Sequence, residues 1–558
     1  MTSRRPLART LAFSLLLASV AGAQAPQQPA PLPFDLEEAT VADLQQRMAS
    51  GRETARTLAQ KYLARIDAID RGGPALRSVI ETNPDALAIA DQLDAERRSG
   101  RTRGILHGIP VLLKDNIATA DRMMTTAGSL ALAGVRPSKD AFIVTKLRDA
   151  GAVILGKTNL SEWANFRSTH STSGWSARGG LTKNPYALDR NTSGSSSGSG
   201  VAVAANLAAV AVGTETDGSI VSPSTSNGLV GIKPTLGLLS RSGIVPIAHS
   251  QDTAGPMART VADAAALLGA MAGMDPDDAS TRQPARSLDR SARSQDRSAL
   301  SQDRSAFPPT DYSPFLDANG LRGARIGVVR NKFWGYNTGM DRLVEAAVAD
   351  MTKQGAVIVD PANIPTIGRF DDTELEVLLY EFKADLNTFL ARLGPLAPVR
   401  SLEDVIAFNE AHAADEMPYF GQELFVMAEQ KGPLTDPKYR AALARNHRLS
   451  RTLGIDAVMA KHHLDALVAP TGNPAWLTDL VNGDMFPGGA AAPSTITSVA
   501  GYPHITVPAG FVHGLPVGVS FFAGAWSEPM LIKLAFAYEQ ATKHRRAPTF
   551  ASTVRVVP

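Results

Sequence analysis

The chain has 558 residues, 44% of them hydrophobic, which is enough for a large core. Its 56 basic and 54 acidic residues leave a formal charge of +2, so composition gives no case for nucleic-acid binding. The absence of cysteine excludes disulfides, a thiolate nucleophile, a thiolate metal site and a lipid-modified cysteine anchor, and leaves redox compartment unreadable.

Arg4, Arg5 and Arg9 precede an apolar run from Leu11 to Val20, and Ala21-Gly22-Ala23 supplies a small-x-small cleavage site. That run is shorter than the ~20 residues a bilayer span takes. The expectation is a signal peptide over 1–23 and export to the periplasm or medium, with Ser3-Arg4-Arg5 raising a twin-arginine route. No later stretch reaches membrane-spanning length, so no membrane partner is expected after signal removal.

Along the mature chain, 24–558, helical spacing predicts amphipathic helices over Thr40–Ala49 and Thr54–Ile69, then a helix over Pro84–Arg98. Leu106 to Leu113 reads as a buried strand delivering the polar triplet Lys114-Asp115-Asn116 at its end, where open α/β sheets place chemistry. Asp140–Ala150 reads as helix and Ala152–Leu155 as strand, followed by loop from Ser171 to Asn191. Beyond Ser219, strand, turn and helix alternate through Val230–Lys233, Ser242–Pro246 and Thr260–Ala272. The segment at about 280–309 repeats Asp-Arg-Ser-Ala from Asp289, Asp296 and Asp303, which predicts a disordered polar insertion. A β-α-β unit over Ala324–Asp360, helices over Leu375–Leu393 and Tyr439–His463, strands at Ala466–Pro470, His504–Pro508 and Val517–Ala523, and a closing helix Pro529–Thr542 complete an α/β chain.

The stretch Ser193 to Ser219 organises the rest. It holds two clusters of small, nucleophile-capable residues, SGSSSGSG and TETDGS, separated by an Ala/Val-rich run. A helix from Ser199 to Leu207, rising about 1.5 Å per residue, and a strand from Ala209 to Gly213, returning at about 3.3 Å per residue, cover similar distances. The two clusters can therefore meet, with hydroxyls beside a helix N-terminus and backbone N–H groups free for an oxyanion. A Gly/Ser linker is the ordinary reading of such composition, but linkers do not usually run straight into an apolar helix. Phosphate loops fit poorly: no Lys follows the last Gly, and Val203 stands where the dinucleotide fingerprint needs Gly.

GIPVLLKDN, GSSSGS, GTETDGSI, GLVGIKPT, QDTAGPMARTVADAA and YPHITVPAGF followed by GLPVGVSF occur in order over nearly all of the mature sequence. On these pieces the chain resembles the amidase signature family. NLSEWANFRS, SGWSARGG and NPYALDR make it most similar to that family's bacterial peptide amidases, which remove C-terminal amides. The resemblance implies one α/β/α domain around a large mixed sheet, no cofactor and no metal.

It also implies a Ser-Ser-Lys triad: Ser219 as nucleophile, Ser195 as the bridging serine in cis conformation, and Lys114 as general base. The backbone of Thr216, Asp217, Gly218 and Ser219 corresponds to the oxyanion hole, and Ser173 and Gly174 to a region lining the substrate site. Ser193 and Ser197 replace glycines of the common loop, Asp217 stands where many relatives have Gly, and Val221 where many have Arg. Phe382, Trp476 and Phe486 are candidates to wall an acyl pocket, although aromatics at such positions are more often core. His462-His463 does not read as a metal pair, because adjacent helical residues diverge by about 100°. The expected partner is a small-molecule or peptide amide, with the oligomeric state open. The alternatives are a broad acylamide or ester hydrolase, the glutamine-hydrolysing subunit of a tRNA amidotransferase, and an exported solute-binding protein that would need none of the three triad residues.

Overall fold

The apolar runs form strands: β1 (Val79–Thr82), β2 (Pro110–Lys114), β3 (Val153–Thr158), the short β4 (Trp175–Ser176) and β5 (Gly180–Leu181), β6 (Val210–Glu215), β7 (Val230–Lys233), β8 (Thr253–Ala258), β9 (Arg325–Val328), β10 (Val357–Val359), β11 (Ala466–Pro470), β12 (His504–Val512) and β13 (Leu515–Phe522). All except β4 and β5 join one eleven-stranded mixed sheet in the order β1-β3-β2-β6-β8-β7-β12-β13-β11-β9-β10, flanked by helices in the expected α/β/α manner. The computed structural model describes residues 2, 34–282, 309–394, 397–485 and 492–554. The described residues from 36 onward make one compact unit. Nearly all of the predicted leader and of the heptad insertion, and Phe486, lie outside the described residues. Among those residues no helix is long and apolar enough to cross a membrane.

The site depends on three neighbouring strands. β2 runs parallel to both β3 and β6, pairing Lys114 with Thr158 and Leu113 with Val212, so three chain exits share one sheet edge. β8 returns antiparallel between β6 and β7, setting Glu215 opposite Thr253. Every residue of β2, β3, β6 and β8 is buried, which is why they read as apolar or small runs and not as alternating ones, with Lys114, Lys157 and Glu215 coming only toward their ends.

The helices that matter for position are α1 (Val41–Ala49), α2 (Ala55–Arg65), α3 (Ala86–Arg98), α4 (Phe142–Asp149), α5 (Ser197–Ala204), α6 (Val221–Ser226), α7 (Val261–Met271), α8 (Thr338–Lys353), α9 (Asp371–Arg392), α10 (Leu402–Ala411), α11 (Glu423–Glu429), α12 (Pro437–His447), α13 (Asp456–His462), α14 (Pro493–Ala500) and α15 (Glu528–Thr542). Two predicted helices are broken. The Thr54–Ile69 helix keeps regular turns only to Arg65 and widens into a π-helical turn to Arg71. The Tyr439–His463 helix divides into α12 and α13 around a wide turn ending at Ile455, with Gly454 at φ −102 and ψ −112. A Cβ on Gly454 would lie 2.4 Å from the Leu449 carbonyl oxygen, so the chain can pass there only without a side chain.

Candidate active site

Lys114 ends β2 with its side chain fully buried, and its Nζ lies 2.7 Å from Ser195 Oγ, 2.9 Å from Thr214 Oγ1 and 3.2 Å from the Thr214 carbonyl oxygen. The rest of the triplet diverges. Asp115 turns to Arg178 and Thr126, whereas Asn116 donates its side-chain amide to Thr214 Oγ1 at 3.0 Å. Burial removes the water that would stabilise an ammonium, and it outweighs the attraction of Asp252 and Glu215. The amine's pKa falls to about 7.

The Ser/Gly run is a buried clasp and not a linker. Ser196 Oγ donates to the Thr214 carbonyl at 3.0 Å and accepts the Thr214 N–H at 3.1 Å, while Ser199 Oγ donates to the Val212 carbonyl at 3.1 Å. These bonds dock the start of α5 along the end of β6. The Ser196 N–H donates to the Ser219 carbonyl at 3.2 Å, which brings the two predicted serines onto adjoining backbone. The Gly194–Ser195 peptide is cis. Gly194 is required by crowding: a Cβ there would stand 2.2 Å from Ser161 Oγ.

The Thr216–Ser219 turn is closed by Glu215, whose carboxylate reaches past it to accept the N–H groups of Ile220 (2.6 Å) and Val221 (3.0 Å) at the start of α6. Thr216 Oγ1 donates to Asp252 at 2.6 Å, Asp217 accepts from Thr495 Oγ1 at 2.8 Å, and Gly218 takes the left-handed φ of 76 that the turn needs. Among the described residues, no acceptor takes the N–H groups of Asp217, Gly218 or Ser219. Ser219 itself is 8% exposed, which leaves the hydroxyl-bearing residue at the margin of solvent while Ser195 and Lys114 have none.

Ser173 and Gly174 pack on the far side of the Ser195 loop. A Cβ on Gly194 would meet Ser173 Oγ at 3.0 Å, and the Gly174 N–H donates to Ser161 Oγ at 2.9 Å. The Ser173 hydroxyl is spent on Asp484 at 2.5 Å. Phe382 is not a pocket wall: it is fully buried on α9 between Phe166 and Phe425, with ring centroids 5.0 and 5.2 Å away. Trp476 is buried and accepts the Asn191 N–H on its carbonyl. His462 and His463 close α13, the latter in a left-handed conformation.

Sequence reasoning gave no individual role to Thr214, Asn116 or Asp252, although all three stand inside the pieces quoted for the family. Their roles depend on strand order: the parallel pairing of β2 with β6 sets Thr214 beside Lys114 and Asn116, and the antiparallel β8 brings Asp252 to Thr216. Lys157, fully buried on β3, was equally silent. Its Nζ donates to the Ile117 carbonyl at 2.6 Å and Thr125 Oγ1 at 2.9 Å.

The Amidase family profile matches residues 57–532. The chain is 53% identical to the peptide amidase of Stenotrophomonas maltophilia, whose crystal structure superposes with a TM-score of 0.84 over 93% of this chain and 100% of that one. It is 43% identical over 525 residues to a probable amidase of Arabidopsis thaliana, covering 93% of this chain and 92% of the relative. It is also 34% identical over 525 residues to one subunit of the glutamyl-tRNA(Gln) amidotransferase of Microcystis aeruginosa, covering 92% of this chain and 100% of the relative. A profile match over most of the chain and a shared fold, around a buried amine bonded to a serine, place this chain in the Amidase family as a carboxamide hydrolase.

Proposed function

We propose that the enzyme hydrolyses a primary carboxamide, a peptide C-terminal amide being the best candidate, through an acyl-enzyme on Ser219. The observation that carries this reading is the 2.7 Å contact between the buried Lys114 amine and Ser195 Oγ, with Ser195 adjoining Ser219 through the Ser196–Ser219 backbone bond.

A neutral amine has two protons and one lone pair. If the protons go to the Thr214 carbonyl, which can only accept, and to Thr214 Oγ1, the lone pair is left facing Ser195. Lys114 then takes the Ser195 proton as Ser195 takes that of Ser219, and Ser219 Oγ forms a bond to the amide carbon. The N–H groups of the Thr216–Ser219 turn receive the oxyanion. The proton returns through Ser195 to the departing ammonia as the C–N bond breaks, and water releases the carboxylate by the reverse route. Ser173 and Gly174, which pack against the Ser195 loop, are carried as substrate-lining residues on the family resemblance alone.

The test is ammonia release from peptide amides, simple acylamides and matched esters, by wild type and Ser219→Ala. Release from peptide amides that disappears in the variant is the expected outcome. Ser219-dependent turnover confined to other amides or to esters would keep the mechanism and discard the substrate. We also infer export, from the basic, apolar and small-x-small order of residues 1–23. A mature N-terminus other than Gln24 in periplasmic or culture fractions would overturn the assigned cleavage site.

A further inference from the structure

The connection from β7 to β8 ends in His249-Ser250-Gln251-Asp252, and the first three of these residues dock in succession on α9. Asp385 accepts both the His249 N–H and its ring Nδ1–H, each at 2.9 Å. Glu381 accepts the Ser250 N–H at 2.9 Å, and Glu374 accepts the Gln251 side-chain amide at 2.9 Å. Residues 374, 381 and 385 lie about two and three turns apart, so they share one face of the helix. The fourth residue points the other way: Asp252 accepts Thr216 Oγ1 at 2.6 Å, and Gln251 also donates to the Thr216 carbonyl at 3.2 Å. A continuous path of hydrogen bonds thus runs from α9 through four consecutive residues to the head of the oxyanion turn.

A cavity of about 260 Å³ lies along this path, lined by Asn116, Thr216, Arg241, His249, Asp252 and Asp385. It gives solvent protons access to His249, whose side chain is 42% exposed. The groups facing the ring are Glu381 and Asp385 on α9, Tyr439 on α12, and Arg241, which Asp278 holds through two contacts of 2.9 and 2.6 Å. His249 Nε2 stands 3.4 Å from Glu381 Oε1, which also accepts the Tyr439 hydroxyl at 2.7 Å. An imidazolium donates toward both carboxylates at once, whereas a neutral ring can donate to one and turns a lone pair toward the other.

We propose that His249, as the imidazolium, is a positioning residue of the reaction: it locks its segment onto α9 and so holds Thr216 and the oxyanion turn in register. This rests on the Ser219 mechanism above. Burial and Arg241 pull the ring's pKa down, but the Asp385 hydrogen bond and the charges of Glu381 and Asp385 prevail, so it stands above the ordinary value. A raised folded pKa means the lock is complete below the unfolded value of about 6.5 and is lost as pH rises through the folded one. Lys114 must lose its proton near pH 7, which adds a rising limb, so the activity profile is a bell whose falling side belongs to His249.

The experiment is kcat and KM for ammonia release between about pH 6 and about pH 10 for wild type, Asp385→Asn and His249→Gln, with circular dichroism as the check on folding. Wild-type kcat should fall on the alkaline side. Asp385→Asn, altering a partly exposed side chain, should move that limb to lower pH. His249→Gln should lack it, with optimal kcat about tenfold lower and KM within about twofold, a loosened turn costing less than the 10²–10³ of a deleted oxyanion donor. A wild type with no alkaline limb, or a limb that both variants leave in place, overturns the proposal. A Ser219→Ala control separates the two readings: an inactive control with an unmoved limb sinks the lock alone, whereas a control that still releases ammonia sinks the mechanism with it.

Discussion

Lys114 illustrates at the residue scale what an active site costs its protein. In the unfolded chain its amine holds a proton up to the ordinary value of 10.5, but in the folded chain burial brings this to about 7. As pH falls from 10.5 the unfolded state takes up the proton first, so wild-type stability declines until about pH 7 and then levels off. Lys114→Met has no such proton to lose. It should be inactive, and its stability relative to wild type should rise by about 3 kcal/mol between pH 9.5 and pH 7, read from urea unfolding at the two values. An unchanged difference would mean that Lys114 is an ordinary ammonium in the folded enzyme. The same residue marks how far the site was legible in advance. Lys114, Ser195 and Ser219 had roles assignable from family motifs, but Thr214 and Asn116, in the same motifs, did not, because their roles arise only where β2 and β6 lie side by side.

At the scale of elements, the strands were legible because a strand buried on both faces is mostly a run of apolar or small residues, and Ala466–Pro470 and Val230–Lys233 form with the expected bounds. Ends were less legible. Helix α5 starts at Ser197, two residues before the expected Ser199, and β6 runs on to Glu215, past the expected Gly213, because Ser196 bonds both backbone groups of Thr214 and draws the two ends together. Periodicity contains no sign of such a bond. Gly198, in the first turn of α5, shows how tightly this is built: a Cβ there would lie 2.3 Å from the Ser78 carbonyl oxygen and 2.4 Å from that of Asn159. Both obstacles are backbone, so the helix has to move. Gly198→Ala should therefore keep the far-ultraviolet circular dichroism of the wild type while kcat drops about 10²-fold, as expected for reacting groups displaced by about 1 Å. A variant with near wild-type kcat would show that the Ser195 loop tolerates displacement of its helix.

Across the whole molecule, the two serines sit at the N-terminal ends of α5 and α6, and a single arginine near the end of the chain gathers the opposite ends. Arg545 donates to the carbonyls of Ala204 at 3.0 Å, Asn227 at 3.3 Å and Gly228 at 2.9 Å. It also grips Glu38 through two contacts, at 3.0 and 2.9 Å, and Tyr186 Oη at 2.9 Å. Residues some 500 positions apart in sequence are thereby tied to both helices that carry the chemistry, a dependence that no local pattern could reveal. Removing the guanidinium leaves Glu38 without its ion partner and three carbonyls without donors. Loss of one partner of a buried pair costs about 3–5 kcal/mol, and because Glu38 is about one-third exposed, Arg545→Met should cost less than that, about 2–3 kcal/mol. Arg545→Lys should recover less than half of this, since an ammonium is a point and the site is shaped for a planar fork reaching five acceptor groups at once. Denaturant unfolding of the three proteins at neutral pH measures both differences. A loss in Arg545→Met below about 0.5 kcal/mol, or full recovery by Lys, would show that the two serine helices are held by the sheet alone.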